Sequence, residues 1–414
     1  MAVFKPFKAI RPLTEYADKI AALPYDVMSS SEAREMVKDN PYSFLHIDRA
    51  EIDLDVSVDP YSPEVYQKAK SNLEGLVTKH LCEEDADPCY YIYRQTMNGR
   101  TQNGIVGCAS IDDYKNNIIK KHEKTRAEKE VDRCNHVNIC NAHTGPIFLT
   151  YKKQDKINEI IAKWQAENEP VYSFNQGDGV DHTVWVVDDE EINEELCEYF
   201  NAVESFYIAD GHHRCASAVK VGFARREENP DYTGEEEFNF FLAVLFPDDE
   251  LAIMDYNRVI ADTNGNTVEE LIEKISKDFT VEEYKGEGQY HPENHHNFGM
   301  YIENKWYKLT AKEGTFDENN AIESLDVSIL QNNLIAPILG IEDPRVDHRI
   351  DFVGGIRGLK ELEKRANSDM KLAFSMYPTS IKELMDIADA GEIMPPKSTW
   401  FEPKLLSGLF IHKI

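Results

Sequence analysis

The chain has 414 residues, with 45 lysines and arginines against 75 aspartates and glutamates, a formal net charge of −30. So acidic a chain is a poor general binder of nucleic-acid backbones or anionic membrane surfaces, because both depend on net cationic contacts. Its 42% hydrophobic and 10% aromatic residues supply enough apolar surface for folded cores and exclude wholesale disorder.

The apolar pattern alternates between helical and strand spacing without internal repeats. Ser29 and Glu32 form a capping-box pattern that predicts a short helix through Val37. Ser62 followed by Pro63, with Val65, Ala69, Leu73, Leu76 and Val77 at helical spacing, predicts a longer one. Residues 89–94 and 104–111 read as strands, and Asn98-Gly99 between them is the strongest short hairpin signal. Residues 112–132 are polar, rich in charge and helical in character. Strands are expected at 180–187 and 205–209. The second runs into Asp210-Gly211-His212-His213-Arg214 and then a helix ending at Gly222. Residues 238–246 read as a buried strand. A helix at 268–279 capped by Thr267 follows, then a hairpin at 300–303 and 306–309. Helices are expected at 325–339 with Ser324 as cap, at 356–366 and at 380–390, with a strand at 371–376. The segments 226–237 and 284–298 read as surface insertions. The mixture predicts an α+β (mixed α/β) fold, with soft boundaries near residues 85 and 250.

The N-terminal MAVFKPFKAI lacks the continuous apolar segment of a secretory signal. No stretch approaches the roughly 18 apolar residues of a membrane helix. The cysteines (82, 89, 108, 134, 140, 197 and 215) are odd in number and contain no CxxC. These features predict a reduced, cytoplasmic, soluble protein.

Three segments carry candidate chemistry. In Asp210 to Arg214 a strand ends, a glycine permits a tight turn and a helix begins, so free backbone N–H groups and the positive dipole end suit a phosphate. His212, His213 and Arg214 add cationic or donor side chains, and Asp210 could cap the helix or hold Mg²⁺ through water. The run Lys120-Lys121-His122-Glu123-Lys124-Thr125-Arg126 sets one carboxylate among cations, which keeps it ionised and fit for a general base; it is equally the pattern of a charged helix face. In Pro395-Pro396-Lys397-Ser398-Thr399-Trp400, two prolines stiffen the approach to a lysine and two hydroxyls able to grip an anion. Cys134, His136, Cys140 and His143 lie close in sequence, but their spacing fits no common zinc finger, and no metal site is assigned. Walker A, G-x-S-x-G and G-x-G-x-x-G motifs are absent.

Together with Pro6 to Pro12 (PFKAIRP), Pro24-Tyr25-Asp26-Val27, Asn40 to Leu45 (NPYSFL) and Gly145-Pro146-Ile147, these segments resemble the domain of unknown function 1015 family over essentially the whole chain. More distantly, the order HE, DGHHR, PKST is similar to that of the free-serine kinases of the ParB/sulfiredoxin-like superfamily. That resemblance implies Glu123, beside His122, as the base. It implies Asp210, Gly211, His212, His213 and Arg214 as the phosphate cradle, and Lys397, Ser398 and Thr399 with Arg126 as substrate-binding residues. It also implies ADP or ATP as phosphoryl donor, Mg²⁺, and a ParB/sulfiredoxin-like core. The expected organisation is an N-terminal region 1–85, the core 86–250 and a C-terminal region 251–414. A sulfiredoxin reaction is disfavoured, because His212 stands where those enzymes place a reactive cysteine. The expected function is phosphoryl transfer to a small hydroxyl metabolite, first L-serine. A regulatory nucleotide-binding protein and a nucleotide phosphohydrolase stay open. The expected partners are nucleotide and small substrate, with no nucleic acid or membrane, and the hairpins offer a homodimer edge.

Overall fold

The run Phe240–Pro247 is buried at every residue, as an unbroken apolar run demands of a central strand. It lies within a nine-stranded mixed sheet. From one edge the strands run Ile119–Lys120, Phe206–Asp210, Ile147–Tyr151, Phe240–Pro247, Arg100–Ser110, Tyr90–Met97, Val180–Val187 and Tyr172–Asn175. Phe4–Lys5 pairs with Arg100–Ser110 off this path. Two pairings are parallel, Phe206–Asp210 with Ile119–Lys120 and Phe240–Pro247 with Ile147–Tyr151. The hairpin turn falls on Asn98 and Gly99, both left-handed (φ 53° and 78°), as a two-residue type I′ turn requires.

The computed structural model describes residues 1–414 as two units, Met1–Leu251 with Pro403–Ile414, and Ala252–Glu402. The boundary expected near residue 85 falls inside the first unit, because Phe4–Lys5 joins the large sheet and Ile10–Pro12 pairs with Cys82–Glu84. The tail, expected to belong with residues 251–402, returns to the first unit instead. Ile411 packs with Ile20, Phe44, Leu73 and Cys140 in a core of that unit, and its backbone pairs with Ile10. A second core of the same unit gathers Phe4, Tyr90, Leu149, Phe200, Phe206 and Phe241.

The second unit is built on a six-stranded antiparallel sheet, ordered Phe279–Glu283, Lys305–Ala311, Asn297–Ile302, Leu372–Ser375, Tyr256–Ile260 and Ile350–Gly354. Val259, Trp306, Val353 and Leu362 form part of its core. No helix of the chain is long and apolar enough to cross a membrane.

Four local expectations change. Residues 112–132 do not form one helix: Ile111–Lys115 is helical, Ile119–Lys120 is a strand, and the next helix is Ala127–Cys140. The helix after the DGHHR segment runs to Glu228 with Gly222 inside it. The cap of the Asp326–Leu330 helix is Leu325, not Ser324. The polar loop around residue 290 is anchored, since Tyr290 is buried and its carbonyl accepts a hydrogen bond from Ser375 Oγ at 2.9 Å.

Candidate functional site

Strand Phe206–Asp210 hands directly over to helix His212–Glu228 through Gly211. Gly211 has φ 89°, a conformation that L side chains rarely adopt, and a Cβ there would come within 3.3 Å of the Arg214 guanidinium. Its N–H donates to Asp210 Oδ1 at 2.8 Å. The first-turn N–H groups at His212, His213 and Arg214 have no acceptor within the helix, the usual condition of a helix start. Asp210 Oδ2 is ion-paired with Lys404 Nζ at 2.9 Å, so the returning tail contributes a cation to this point. Burial alone would raise the Asp210 carboxyl, but Lys404 and Arg214 outweigh it and hold the group well below the usual carboxylate range.

Register brings the second motif to the first. Phe206 lies beside Ile119 and Tyr207 beside Lys120 in a parallel pairing, so the chain leaves both strands at the same end. Residues 121–126 therefore run as a loop past the start of the helix. Glu123 Oε2 stands 3.8 Å from His212 Nδ1. The rings of His122 and His212 meet edge to face, 4.5 Å between centroids. The Arg126 backbone N–H donates to His213 Nε2 at 3.0 Å.

The charge state of these histidines differs from the cationic role open to them in the sequence. Burial pushes His122 down to about 4, against the smaller opposing pull of Asp210 and a hydrogen bond to the Ile208 backbone. Burial likewise lowers His212, reinforced by His122, and lowers His213. All three are neutral at pH 7, and the local positive charge comes from Arg214, Lys404 and the lysines of the 120–126 run.

Arg214 reaches in the other direction. Its Nη1 donates to the Pro146 carbonyl at 2.7 Å, while its Nε is buried without a partner. It lines a cavity of about 30 Å³ with Tyr25, Asp48, Arg133 and Thr144. The Arg133 guanidinium lies over the Tyr25 ring at 4.1 Å, and Thr144 Oγ1 donates to Asp48 Oδ1 at 2.7 Å. Arg133, Asp48 and Thr144 were not singled out from the sequence. The signal that leads to them is the pair of landmarks Pro24 to Val27 and Gly145 to Ile147, which meet here around Arg214.

The family model described as protein of unknown function DUF1015 matches residues 4–328. The chain belongs to the DUF1015 family. No curated protein matches it. Among solved structures, a free serine kinase in complex with AMP is 13% identical with a TM-score of 0.36, covering 72% of this chain and 86% of that one. A conserved hypothetical protein from Pyrococcus furiosus is 14% identical with a TM-score of 0.35, covering 74% and 94%. SbnI with a C-terminal truncation, from Staphylococcus aureus, is 11% identical with a TM-score of 0.39, covering 73% and 85%.

The matched span of this DUF1015 chain includes Glu123 and Asp210 to Arg214 but stops before Lys397, Ser398 and Thr399. Those three belong to the second unit and form a turn there. Lys397 is left-handed (φ 60°) and its carbonyl accepts from Arg258 Nη2 at 3.0 Å. Ser398 Oγ donates to the Pro395 carbonyl at 2.6 Å. The Ser398 carbonyl takes the Thr379 hydroxyl at 3.0 Å. Cys134, His136, Cys140 and His143 do not converge on one point: Cys134 goes to the Ser217 carbonyl and His143 to His412, while His136 meets the Ile47 carbonyl and Cys140 Sγ, the latter at 3.9 Å.

Proposed function

We propose that this DUF1015 protein transfers the terminal phosphoryl group of ADP or ATP to the hydroxyl of a small metabolite, with L-serine giving O-phosphoserine as the first candidate. In this reading residues 86–250 act as a ParB/sulfiredoxin-like nucleotide-binding core. The observation that carries it is the 3.8 Å approach of Glu123 Oε2 to His212 Nδ1, which sets a carboxylate at the start of the helix. A phosphate seated on the first-turn N–H groups, with Arg214 beside it, would have that carboxylate within reach of an incoming hydroxyl.

In the reaction Glu123 takes the hydroxyl proton. The substrate oxygen forms a bond to the terminal phosphorus, and the bridging P–O bond breaks to release AMP or ADP. Arg214, Lys404 and the helix N-terminus neutralise the charge that spreads over the phosphoryl oxygens, and positioning supplies much of the remaining barrier reduction. Mg²⁺ does not fit a protein-held position at Asp210. Lys404 Nζ occupies one carboxylate oxygen and the Gly211 N–H the other. The groups beside it, two imidazoles and one carboxylate, are a poor set for an ion that demands oxygen ligands.

The test is direct. Purified protein incubated with L-serine, Mg²⁺ and either ADP or ATP is expected to yield O-phosphoserine, and Glu123→Gln should lower the rate about 10²-fold or more. Full activity in that variant removes Glu123 from the role of base. Phosphate release indifferent to serine assigns hydrolysis instead. Saturable nucleotide binding without product assigns a regulatory role.

A further inference from the structure

We propose that His122, His212 and Glu123 bind a borderline divalent metal ion of the zinc class. One ligand atom from each lies within 4.8 Å of the others. Zinc holds imidazole nitrogen and carboxylate oxygen at roughly 2.0–2.2 Å, so a modest side-chain movement closes the set around one ion. Glu123 can supply that movement, since its side chain is 48% exposed whereas that of His212 is only 4% exposed.

His122 points to a cation rather than to a phosphate. The His122 ring is hydrogen-bonded to the Ile208 backbone through one nitrogen, while Nδ1 is buried with no partner. A bond from ring N–H to a backbone carbonyl fixes the tautomer and leaves Nδ1 with its lone pair exposed, the arrangement that commonly stands behind a metal-bound histidine. His212 Nε2 is also buried without a partner, while its Nδ1 is the atom that stands beside Glu123 Oε2. Buried polar atoms are nearly always paired, so an unsatisfied nitrogen on each of these two edge-to-face rings calls for a physical reason. A phosphate oxygen cannot satisfy the His122 Nδ1 lone pair, because both are acceptors. A metal ion can satisfy it directly.

The donor set selects the ion. Two neutral imidazoles and one carboxylate suit zinc, cobalt, manganese or ferrous iron, and not Mg²⁺. The helix dipole at His212 opposes a cation, and the Glu123 carboxylate offsets it. The consequence rests on the function proposed above: an ion held by the Glu123 carboxylate removes the base, so zinc acts as a brake on phosphoryl transfer at the same site.

The experiment titrates metal-stripped full-length protein with Co²⁺ in the absence of nucleotide and serine. One equivalent should develop d–d absorption without a thiolate charge-transfer band, which excludes the cysteines. Zn²⁺ should displace it and a large excess of Mg²⁺ should not. His212→Gln and Glu123→Gln should each weaken Co²⁺ binding at least tenfold; Glu123, being half exposed, can be replaced without loss of the fold. Absence of a one-equivalent spectrum, or undiminished affinity in Glu123→Gln, overturns the site. Inorganic phosphate bound in a parallel titration, with no Co²⁺ spectrum, overturns it in favour of an anion site. The readout contains no substrate, so its failure leaves the transfer reaction to its own assay, and the absence of O-phosphoserine leaves the metal site standing.

Discussion

Asp210 shows how a single residue changes meaning once its neighbours are known. In the sequence it could cap a helix or hold a metal through water. In the fold its oxygens are taken by Lys404 and the Gly211 N–H, which makes it the anchor of a cation beside the helix start. The opposite case is Asp326 in the second unit. Its Oδ1 accepts from the His296 N–H at 2.8 Å, but Oδ2 is buried without a partner. Burial raises its carboxyl from 3.8 to about 7, against the lowering by the His296 bond. The folded protein therefore keeps this proton over a range where the unfolded chain has lost it. Stability from this group falls as pH rises from about 4 to about 7, by at most roughly 1.4 kcal/mol per pH unit. Denaturant titrations across that window should show a slope in the wild type that Asp326→Asn removes. Identical pH slopes in the two proteins would show that Asp326 ionises without cost.

At the scale of elements, local chemistry was legible and its extent was not. The capping box read at Ser29 and the cap read at Thr267 both form, and Ser380 closes a further capping box, because a side chain and a backbone N–H three residues apart need nothing from the rest of the protein. The Asn98-Gly99 hairpin forms for the same reason. The charged stretch 112–132 misled because its composition suits an exposed helix, while a two-residue strand at Ile119–Lys120 is selected by pairing with Phe206 and Tyr207. Gly222 misled in the other direction. Glycine commonly ends helices, yet here it sits within one, where a Cβ would lie 2.4 Å from the Phe238 carbonyl oxygen and 2.8 Å from Ile111 Cδ1. Gly222→Ala gains about 1 kcal/mol of helix propensity. The clash should more than cancel it, for a net loss of roughly 1–2 kcal/mol. Urea unfolding measures this directly, and a more stable variant would mean that the backbone contact yields easily.

At the scale of the molecule, the last twelve residues matter more than their position suggests. They place Ile411 in a core of the first unit, pair with Ile10 and Ala142–His143, and deliver Lys404 to Asp210. A chain ending at Glu402 should lose the cooperative unfolding transition of the first unit. Residues 252–402 expressed alone should retain a transition of their own, since their sheet and core close within that span. Circular dichroism melts of both pieces test this. A fully cooperative first unit without its tail would make the tail a surface strap.

The sequence by itself determined the chemistry on offer: an acidic chain with few basic fragments, a strand–glycine–helix junction of the kind that suits an anion, and one glutamate inside a basic run. It determined the elements whose signals are local, such as the Ser29 capping box, the Asn98-Gly99 turn and the central apolar strand. Tertiary structure decided which fragments meet. Parallel pairing of two short strands set Glu123 beside His212, the returning tail chose Lys404 as the partner of Asp210, and Lys397 to Thr399 form a turn in the second unit. Burial then decided the protonation of the histidines. The reason is physical: sequence spacing fixes contacts over three or four residues, whereas strand register and desolvation depend on segments separated by a hundred residues or more.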